Sequence, residues 1–384
     1  MSRLASAAVI LKHNRIGRPV RRTTSPRAIW YWRPDSMPVV EVDDLPTTSQ
    51  ELTPAWFSEA LNNEVEDAVI EEIIWGTATK VLVRLRYRDP DSQLPTAVCV
   101  KGCFDERLAG ASDAYRIEAR FFGDLAEKLP VVLPRTYYAA VAPTAYQGIV
   151  VMENLCVSGG RFGDPCAPFT PDQVASGLEM QARWHAVTAD VAATLAPWLG
   201  VGSPAVRAVA KVLFSRDYWD AYYAKSESPC LPSSLNNRER ILRGFEALWA
   251  YEDGAAGSLA HGDAHIGNTF IREDGVVAFL DWQGVCVAPW SYDVAYFITG
   301  ALSVADRRAH ERDLVKHYRS ALAGAGGPVL DADDCWTAYR RHALHGFVWA
   351  ATPPIMQSIE RVCAMAERHL AAIEDLESLS LLGV

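Results

Sequence analysis

Two short apolar runs stand close together inside a stretch that otherwise reads as helix, and few architectures accommodate that. Thr269-Phe270-Ile271-Arg272 and Val276-Val277-Ala278-Phe279-Leu280 flank Glu273-Asp274-Gly275. Two strands joined by an Asp-Gly turn read as a β-hairpin. On either side the pattern is helical, over 171–188, 204–225 and 235–253 before it and 290–303, 304–324, 331–351 and 354–380 after it. The earlier part differs. Thr53-Pro54 opens a short helix to about Leu61, with Thr at the N-cap and Pro at N1. Strands follow near 66–74, 79–88 and 95–103, then a helix around Glu118 and further strands ending near residue 154. This order predicts an α+β chain: an N-terminal extension over 1–48, a β-rich lobe over 49–154, and a mainly helical lobe over 155–384. With 384 residues and 49% hydrophobic content, the chain can hold two cores.

The loop feeding the hairpin is His261-Gly262-Asp263-Ala264-His265-Ile266-Gly267-Asn268, and Asp281-Trp282-Gln283-Gly284 leaves it. Asn268 precedes the first strand and Asp281 follows the second, so antiparallel pairing brings them to one end, where two oxygen ligands can meet a single hard cation. Asp263, five positions before Asn268, can face the same centre. An acid to orient and deprotonate a hydroxyl, with an amide and a second acid to hold Mg²⁺ on nucleotide phosphates, is the minimum set for phosphoryl transfer. Gly262 and Gly267 suit the tight backbone. The plainer alternative is a polar loop with two solvated acids.

These residues resemble the catalytic and metal loops of the aminoglycoside phosphotransferase and choline kinase group, a branch of the protein-kinase-like fold. Leu52-Thr53-Pro54-Ala55-Trp56, Glu118-Ala119-Arg120-Phe121-Phe122, Pro134-Arg135-Thr136-Tyr137-Tyr138 and Val151-Met152-Glu153-Asn154-Leu155 extend the resemblance over about residues 50 to 350, most closely to the ecdysteroid-kinase-like branch. It implies two lobes, ATP and Mg²⁺ as cofactors, Asp263 as the catalytic base, Asn268 and Asp281 as metal ligands, and a lysine upstream for the phosphates.

Ala97-Val98-Cys99-Val100-Lys101-Gly102-Cys103 alternates like a strand and carries Lys101 within it. A lysine there needs an anionic partner. Glu118, Phe122, Leu125 and Leu129 recur on one helical face, so Glu118 points inward and wants a cation. The pair reads as a phosphate-orienting lysine with its glutamate, or else as a structural salt bridge or a snorkelling lysine. Ile73 to Val83 reads as strand, turn, strand, in which Gly76, Thr77 and Thr79 either cover phosphates or form an ordinary hairpin turn. By resemblance, backbone groups of Glu153 and Leu155 meet the adenine edge, with Met152 in the gatekeeper place.

Other polar residues receive duller readings. His261 and His265 hold the loop's shape. His185 lies on an apolar helical stripe with Val174, Leu178 and Ala182 and reads as an interior histidine. Asp293 reads as an N-cap or loop-bracing carboxylate. Eight cysteines without a Cys-x-x-Cys pair fit a reducing, cytoplasmic setting. No apolar run approaches the ~18 residues needed to cross a bilayer.

Net charge is −10, yet residues 1–33 carry eight Arg/Lys and no acid, leaving −18 on the rest. An acidic body disfavours nucleic acid and anionic membranes as partners. The Arg- and Ser-rich opening reads as a tail, a transit segment, or an extension ahead of a start at Met37. A protein acceptor is improbable, because Asp293 follows Asp281 by only twelve positions and Ala-Pro-Glu is absent. A small-molecule alcohol is expected instead, steroid-like or hydroxyacyl. Phe214, Tyr218, Trp219, Tyr222, Tyr223, Trp336, Tyr339, Phe347 and Trp349 are either pocket lining or core. An aminoglycoside acceptor would need converging acids, and the dense cluster Asp331, Asp333, Asp334 reads as a helix start. A nucleotide-binding pseudokinase is the non-enzymatic alternative.

Overall fold

The computed structural model describes residues 39–75, 79–105, 112–143, 147–255 and 257–384. The chain divides into two compact units, residues 1–123 with 132–159 and residues 124–131 with 160–384. The first is β-rich and the second mainly helical, the α+β organisation that the sequence pattern predicts.

The first unit holds β1 (Val40–Glu41), α1 (Pro54–Ala60), β2 (Val65–Ile74), β3 (Thr79–Tyr87), β4 (Ala97–Gly102), α2 (Ser112–Arg120), β5 (Thr136–Val141) and β6 (Gly148–Glu153). They form one sheet in the order β1-β5-β6-β4-β3-β2. β1 runs parallel to β5 and the other neighbours are antiparallel. The sheet thus begins ahead of residue 49, in a two-residue strand too short to leave a periodic signal. Thr53 caps α1 by accepting from Trp56 N at 3.3 Å, and Phe57 packs with Val81, Val83, Leu85, Val98, Val100, Ile149 and Val151. Alternation along β4 sends Cys99 and Lys101 to the opposite face. The helix expected through Leu129 changes character after Arg120, into a π turn over Phe121–Leu125 and a 3₁₀ turn over Ala126–Lys128. Glu118, Phe122, Leu125 and Leu129 are all buried despite that break.

The second unit holds β7 (Arg161–Phe162), α3 (Pro171–Thr188), α4 (Ala192–Leu195), α5 (Pro204–Leu213), α6 (Arg216–Tyr223), α7 (Arg238–Gly254) and β8 (Ser258–Ala260). The hairpin β9 (Thr269–Ile271) and β10 (Val277–Phe279) follows, then β11 (Cys286–Ala288) and α8 (Ser291–Ala301). The chain ends in α9 (Val304–Gly324), α10 (Ala332–His342), α11 (Phe347–Ala351), α12 (Ile359–Asp375) and α13 (Ser378–Leu381). β7 joins the hairpin as a third strand beside β9, and β8 pairs with β11.

Three helices expected to be continuous are broken. Residues 204–225 split at Ser215, whose extended backbone starts α6. Residues 331–351 pass through a 3₁₀ turn at Ala343–Gly346. Residues 354–380 become helical only at Ile359 and end where Glu377 turns left-handed at φ 52°. Most of the aromatic set proves to be core: Phe214, Trp219 and Phe347 pack with Ile241, Phe245 and Leu344. The hydroxyls of Tyr218, Tyr222 and Tyr223 donate to the carbonyls of Ala351, Thr352 and Ala350 at 2.8 to 2.9 Å, satisfying the last turn of α11. Asp331 caps α10 by accepting from Asp333 N and Asp334 N.

Arg307, 1% exposed, ties three helices together. Its guanidinium donates to Glu311 Oε2 at 2.8 Å and to Asp375 of α12, while Tyr339 Oη of α10 donates to the same Glu311 oxygen at 2.8 Å. Arg307→Ala should therefore lower stability by about 3 kcal/mol, because Glu311 is left buried without its cation. Tyr339→Phe should cost about 1 kcal/mol, since one hydrogen bond goes and the ring stays. Urea denaturation of the full chain checks both.

Candidate active site

The site grows from the hairpin. Val277, Ala278 and Phe279 face Ile271, Phe270 and Thr269, and Gly275 closes the turn at φ +85°, a conformation that glycine adopts without a Cβ penalty. At the open end the ladder gains one more bond, from Leu280 N to Asn268 O at 2.8 Å. Asn268 and Asp281 therefore leave the two strands side by side. β8 and β11 clamp the flanks, with Ala260 opposite Cys286. Where the two loops cross, Gly262 has φ +81° and a Cβ there would overlap the carbonyl oxygen of Gly284.

Asp293, in the first turn of α8, is fully buried and holds the loop by its backbone. Oδ2 accepts from His261 N at 2.7 Å and Oδ1 from Gly262 N at 3.1 Å. His185 Nε2 also lies 3.3 Å from Oδ2, and its Nδ1 is 2.8 Å from Tyr318 Oη. An ionised carboxylate only accepts, so Nε2 carries the His185 proton and Nδ1 accepts from the tyrosine. Burial pushes the Asp293 carboxyl up, but the His185 hydrogen bond, the His185 and His261 rings and the His261 amide outweigh it; its pKa is lowered from the ordinary 3.8. Asp293 is thus a loop brace and not a helix cap, that position being occupied by Trp290.

His261 is committed at both ring nitrogens. Nε2 donates to Leu280 O at 2.8 Å and Nδ1 accepts from Asp263 N at 3.3 Å, so one ring spans from the residue before Asp281 to Asp263 itself. Burial lowers its pKa more than the neighbouring acids raise it, leaving a neutral strut. His265 Nδ1 accepts from Gly267 N at 3.0 Å within its own turn.

The Asp263 side chain, 34% exposed, is reachable from solvent. Asn268 Nδ2 donates to Asp263 O at 3.0 Å and to Oδ2 at 3.1 Å. Both neighbours are acceptors, so the amide nitrogen must face them, which leaves Oδ1 outside these two bonds. Asp281 adopts the left-handed conformation at φ 66°, ψ 63°, and Trp282 after it is fully buried. The Trp282 ring packs against His261 and Trp184 at 4.5 and 5.1 Å between centroids, and its Nε1 donates to Phe279 O at 3.2 Å. Among the described residues no group of three or more His, Cys, Asp or Glu is placed to hold a metal. One amide oxygen and one carboxylate suit Mg²⁺, which takes few protein ligands beside phosphate and water.

The remaining candidates lie in the first unit. Lys101 Nζ and Glu118 Oε1 are 2.6 Å apart and both side chains are 3% exposed. Thr79, at the start of β3, is buried, and its hydroxyl has no hydrogen-bond partner among the described residues. Gly76 and Thr77 lie outside the described residues. Met152 is buried in β6 opposite Cys99 and Thr136. Glu153 N donates to Arg135 O at 2.8 Å, and Leu155 begins a 3₁₀ turn that Asn154 caps by accepting from Cys156 N at 3.0 Å.

Two residues near Asp263 escaped individual notice in the sequence. Tyr296 Oη lies 3.4 Å from Asp263 Oδ1, and Trp349 Nε1 donates to that hydroxyl at 2.7 Å. The usable signal for Tyr296 was its spacing of three from Asp293 on one helix, which puts both on the loop-facing side. Trp349 belongs to the aromatic set that the sequence reads as either pocket lining or core.

The chain belongs to the phosphotransferase enzyme family APH, whose model matches residues 104–340, more than half of the 384. The uncharacterized kinase-like protein D1044.1 of Caenorhabditis elegans is 24% identical over 259 residues, 63% of this chain. The chain spans 65% of that relative's length, just under two thirds. Among solved structures, choline kinase LicA from Streptococcus pneumoniae is similar at 13% identity and TM-score 0.47, covering 86% of this chain and 99% of that one. Macrolide 2'-phosphotransferase type I is similar at 15% identity and TM-score 0.46, covering 81% and 95%.

Asp293→Asn should cost about 2–4 kcal/mol at neutral pH, since a neutral amide replaces an ion holding two backbone N–H groups and His185. Because the folded pKa is lower than the ordinary 3.8, the carboxylate's contribution is complete above about pH 3.8 and lost as pH falls through the folded value. The stability gap between wild type and variant should narrow below that pH, as read by denaturant unfolding across pH 2 to 7 (about the range where the linkage acts). Gly262→Ala should cost at least about 2 kcal/mol through left-handed strain and the clash with Gly284, read as a lowered melting temperature.

Proposed function

We propose that this protein is an ATP- and Mg²⁺-dependent phosphotransferase that moves the γ-phosphate to the hydroxyl of a small molecule, a steroid-like, hydroxyacyl or other alcohol. The observation that carries the reading is the Asp263 carboxylate, open to solvent yet fixed by Asn268, which leaves the hairpin beside Asp281. Family membership supports the reaction type.

In this reading Asp263 accepts the hydroxyl proton. The acceptor oxygen forms its bond to the γ-phosphorus as the bond to the bridging oxygen breaks, and that electron pair leaves with ADP. Asn268 and Asp281 would hold the magnesium ion, which when bound neutralises charge on the phosphates. Lys101, oriented by Glu118, steadies the α and β phosphates. Gly76, Thr77 and Thr79 belong to the phosphate-covering turn. Backbone groups of Glu153 and Leu155, behind Met152, receive the adenine edge.

The acceptor class is supported by what stands beside Asp263. Trp349, Tyr296 and His265 meet edge to face, with His265 5.1 Å from Trp349 and 6.2 Å from Tyr296 between ring centroids. An aromatic flank suits an apolar alcohol better than a polycationic sugar. Of the dense acidic cluster, the Asp331 carboxylate is engaged as the cap of α10, accepting from the backbone N–H groups of Asp333 and Asp334.

A panel of hydroxylated sterols, hydroxyacyl thioesters, amino alcohols and aminoglycosides should yield ADP from Mg·ATP with one apolar class. Asp263→Ala should lose roughly 10²–10⁴-fold in turnover while its nucleotide Kd stays within about twofold. Asp281→Ala should instead weaken Mg·ATP binding itself by about tenfold or more. Undiminished turnover in Asp263→Ala refutes the assignment, and nucleotide binding without ADP from any acceptor points to a pseudokinase.

A further inference from the structure

We infer that Tyr296, oriented by Trp349, is a positioning residue that fixes the proton-accepting oxygen of Asp263; the inference rests on the phosphotransferase reading above. The two oxygens of that carboxylate are held from different sides. Oδ2 accepts from Asn268 Nδ2 at 3.1 Å, and Oδ1 has the Tyr296 hydroxyl at 3.4 Å. Asn268, and the His265 ring 3.7 Å from the same Oδ2, restrain rotation about the Cβ–Cγ bond from one oxygen only. A second contact on the other oxygen sets its plane.

The direction of the contact follows from donor chemistry. An indole N–H only donates, so Trp349 Nε1, 2.7 Å away, must place its hydrogen on the Tyr296 oxygen. The tyrosine's own hydrogen is then left for an acceptor, and Asp263 Oδ1 is the acceptor present. The result is a one-way chain from indole to phenol to carboxylate. Oδ1 keeps a second lone pair for the proton of an acceptor alcohol.

The phenol cannot turn away. Its ring is 4% exposed, stacks on His369 at 5.3 Å with an 18° interplanar angle, and meets His345 edge-on at 4.8 Å. Burial and the neighbouring Asp263 charge raise the Tyr296 pKa well above its usual 10, so the phenol keeps its proton and stays a donor. Tyr296 also sits on the helix that carries Asp293. A single rigid element therefore holds both the loop backbone, through Asp293, and the carboxylate, through Tyr296.

The test is ADP release from Mg·ATP with water as acceptor, measured on wild type, Tyr296→Phe, Trp349→Phe, the double variant and Asp263→Ala. Tyr296→Phe should lower kcat roughly 10- to 100-fold, the effect of losing a hydrogen bond to a charged group, with the KM for Mg·ATP unchanged and the melting temperature lowered by only a few degrees, because the Trp349 N–H loses its acceptor. Trp349→Phe should lower kcat several-fold, by about 3 to 10. In the Tyr296→Phe background it should cost less than about twofold more, because the indole acts through the hydroxyl. Wild-type kcat in Tyr296→Phe, or losses that multiply in the double variant, overturns the inference while an inactive Asp263→Ala leaves the reading beneath it standing. An Asp263→Ala variant as fast as wild type, or a wild type that releases no ADP with water or with the acceptor panel, overturns that reading itself. Should Tyr296→Phe not fold, Trp349→Phe decides alone: wild-type kcat there overturns the inference.

Discussion

A buried carboxylate is costly unless every lone pair is used, and Asp293 is where this structure accepts that cost. Its two oxygens collect the backbone N–H groups of His261 and Gly262 and the ring of His185. Those amides begin a loop that cannot pair with a strand, because it turns back at Gly262 with a positive φ. Without an internal acceptor they would be orphaned in the interior. The helix α8 supplies that acceptor in its first turn, so the loop is tied to a rigid element at the point where it leaves β8.

From that anchor the constraints pass outward through His261. The ring is neutral, buried and bonded at both nitrogens, which makes it a spacer of fixed length between Leu280 O and Asp263 N. Trp282 completes the arrangement on the far side. Asp281 is held in a left-handed conformation that costs a non-glycine residue about 1–2 kcal/mol, and the buried indole after it offsets that strain. Trp184 of α3, Phe279 of β10 and His261 form the socket into which the indole fits. Loop, hairpin and turn are thus one packed object, although each looks irregular by itself.

What could be read from the sequence was whatever local chemistry dictates. Asp274-Gly275 between two apolar runs defines the hairpin, and Thr170 followed by Pro171 and Gln173 starts α3 where expected. Ser303, accepting from Asp306 N, likewise starts α9. Alternation in β4 placed Lys101 opposite the core face, and the helical stripe placed Glu118 inward, so their pairing followed. Two of the misread boundaries share a cause. At Ser215 and Ser358 an extended backbone, without a side-chain cap, starts a new helix, and the apolar periodicity runs through it. The π turn after Arg120 was illegible because it preserves the buried face while shifting the register. Tyr296 and Trp349 were illegible for a different reason: their meaning lies in one contact between residues 53 positions apart.

Burial separates the acids of this region into two kinds. Asp293 has no exposed surface, and with its hydrogen bonds occupied it can neither exchange a proton readily nor meet a solute. Asp263 has a third of its side chain in solvent and its oxygens held one by one. A group meant to take a proton from an incoming hydroxyl needs the second environment: access for the partner, and a plane that does not have to be found anew in each encounter. A group meant to hold a loop needs the first. The two carboxylates also depend on each other, since the backbone that Asp293 pins is the one from which Asp263 projects. The rigid brace lies in the interior because a solvated acid would release the loop whenever water competed for its oxygens. Asp263 lies at the surface of that brace, where its carboxylate stays open to solvent.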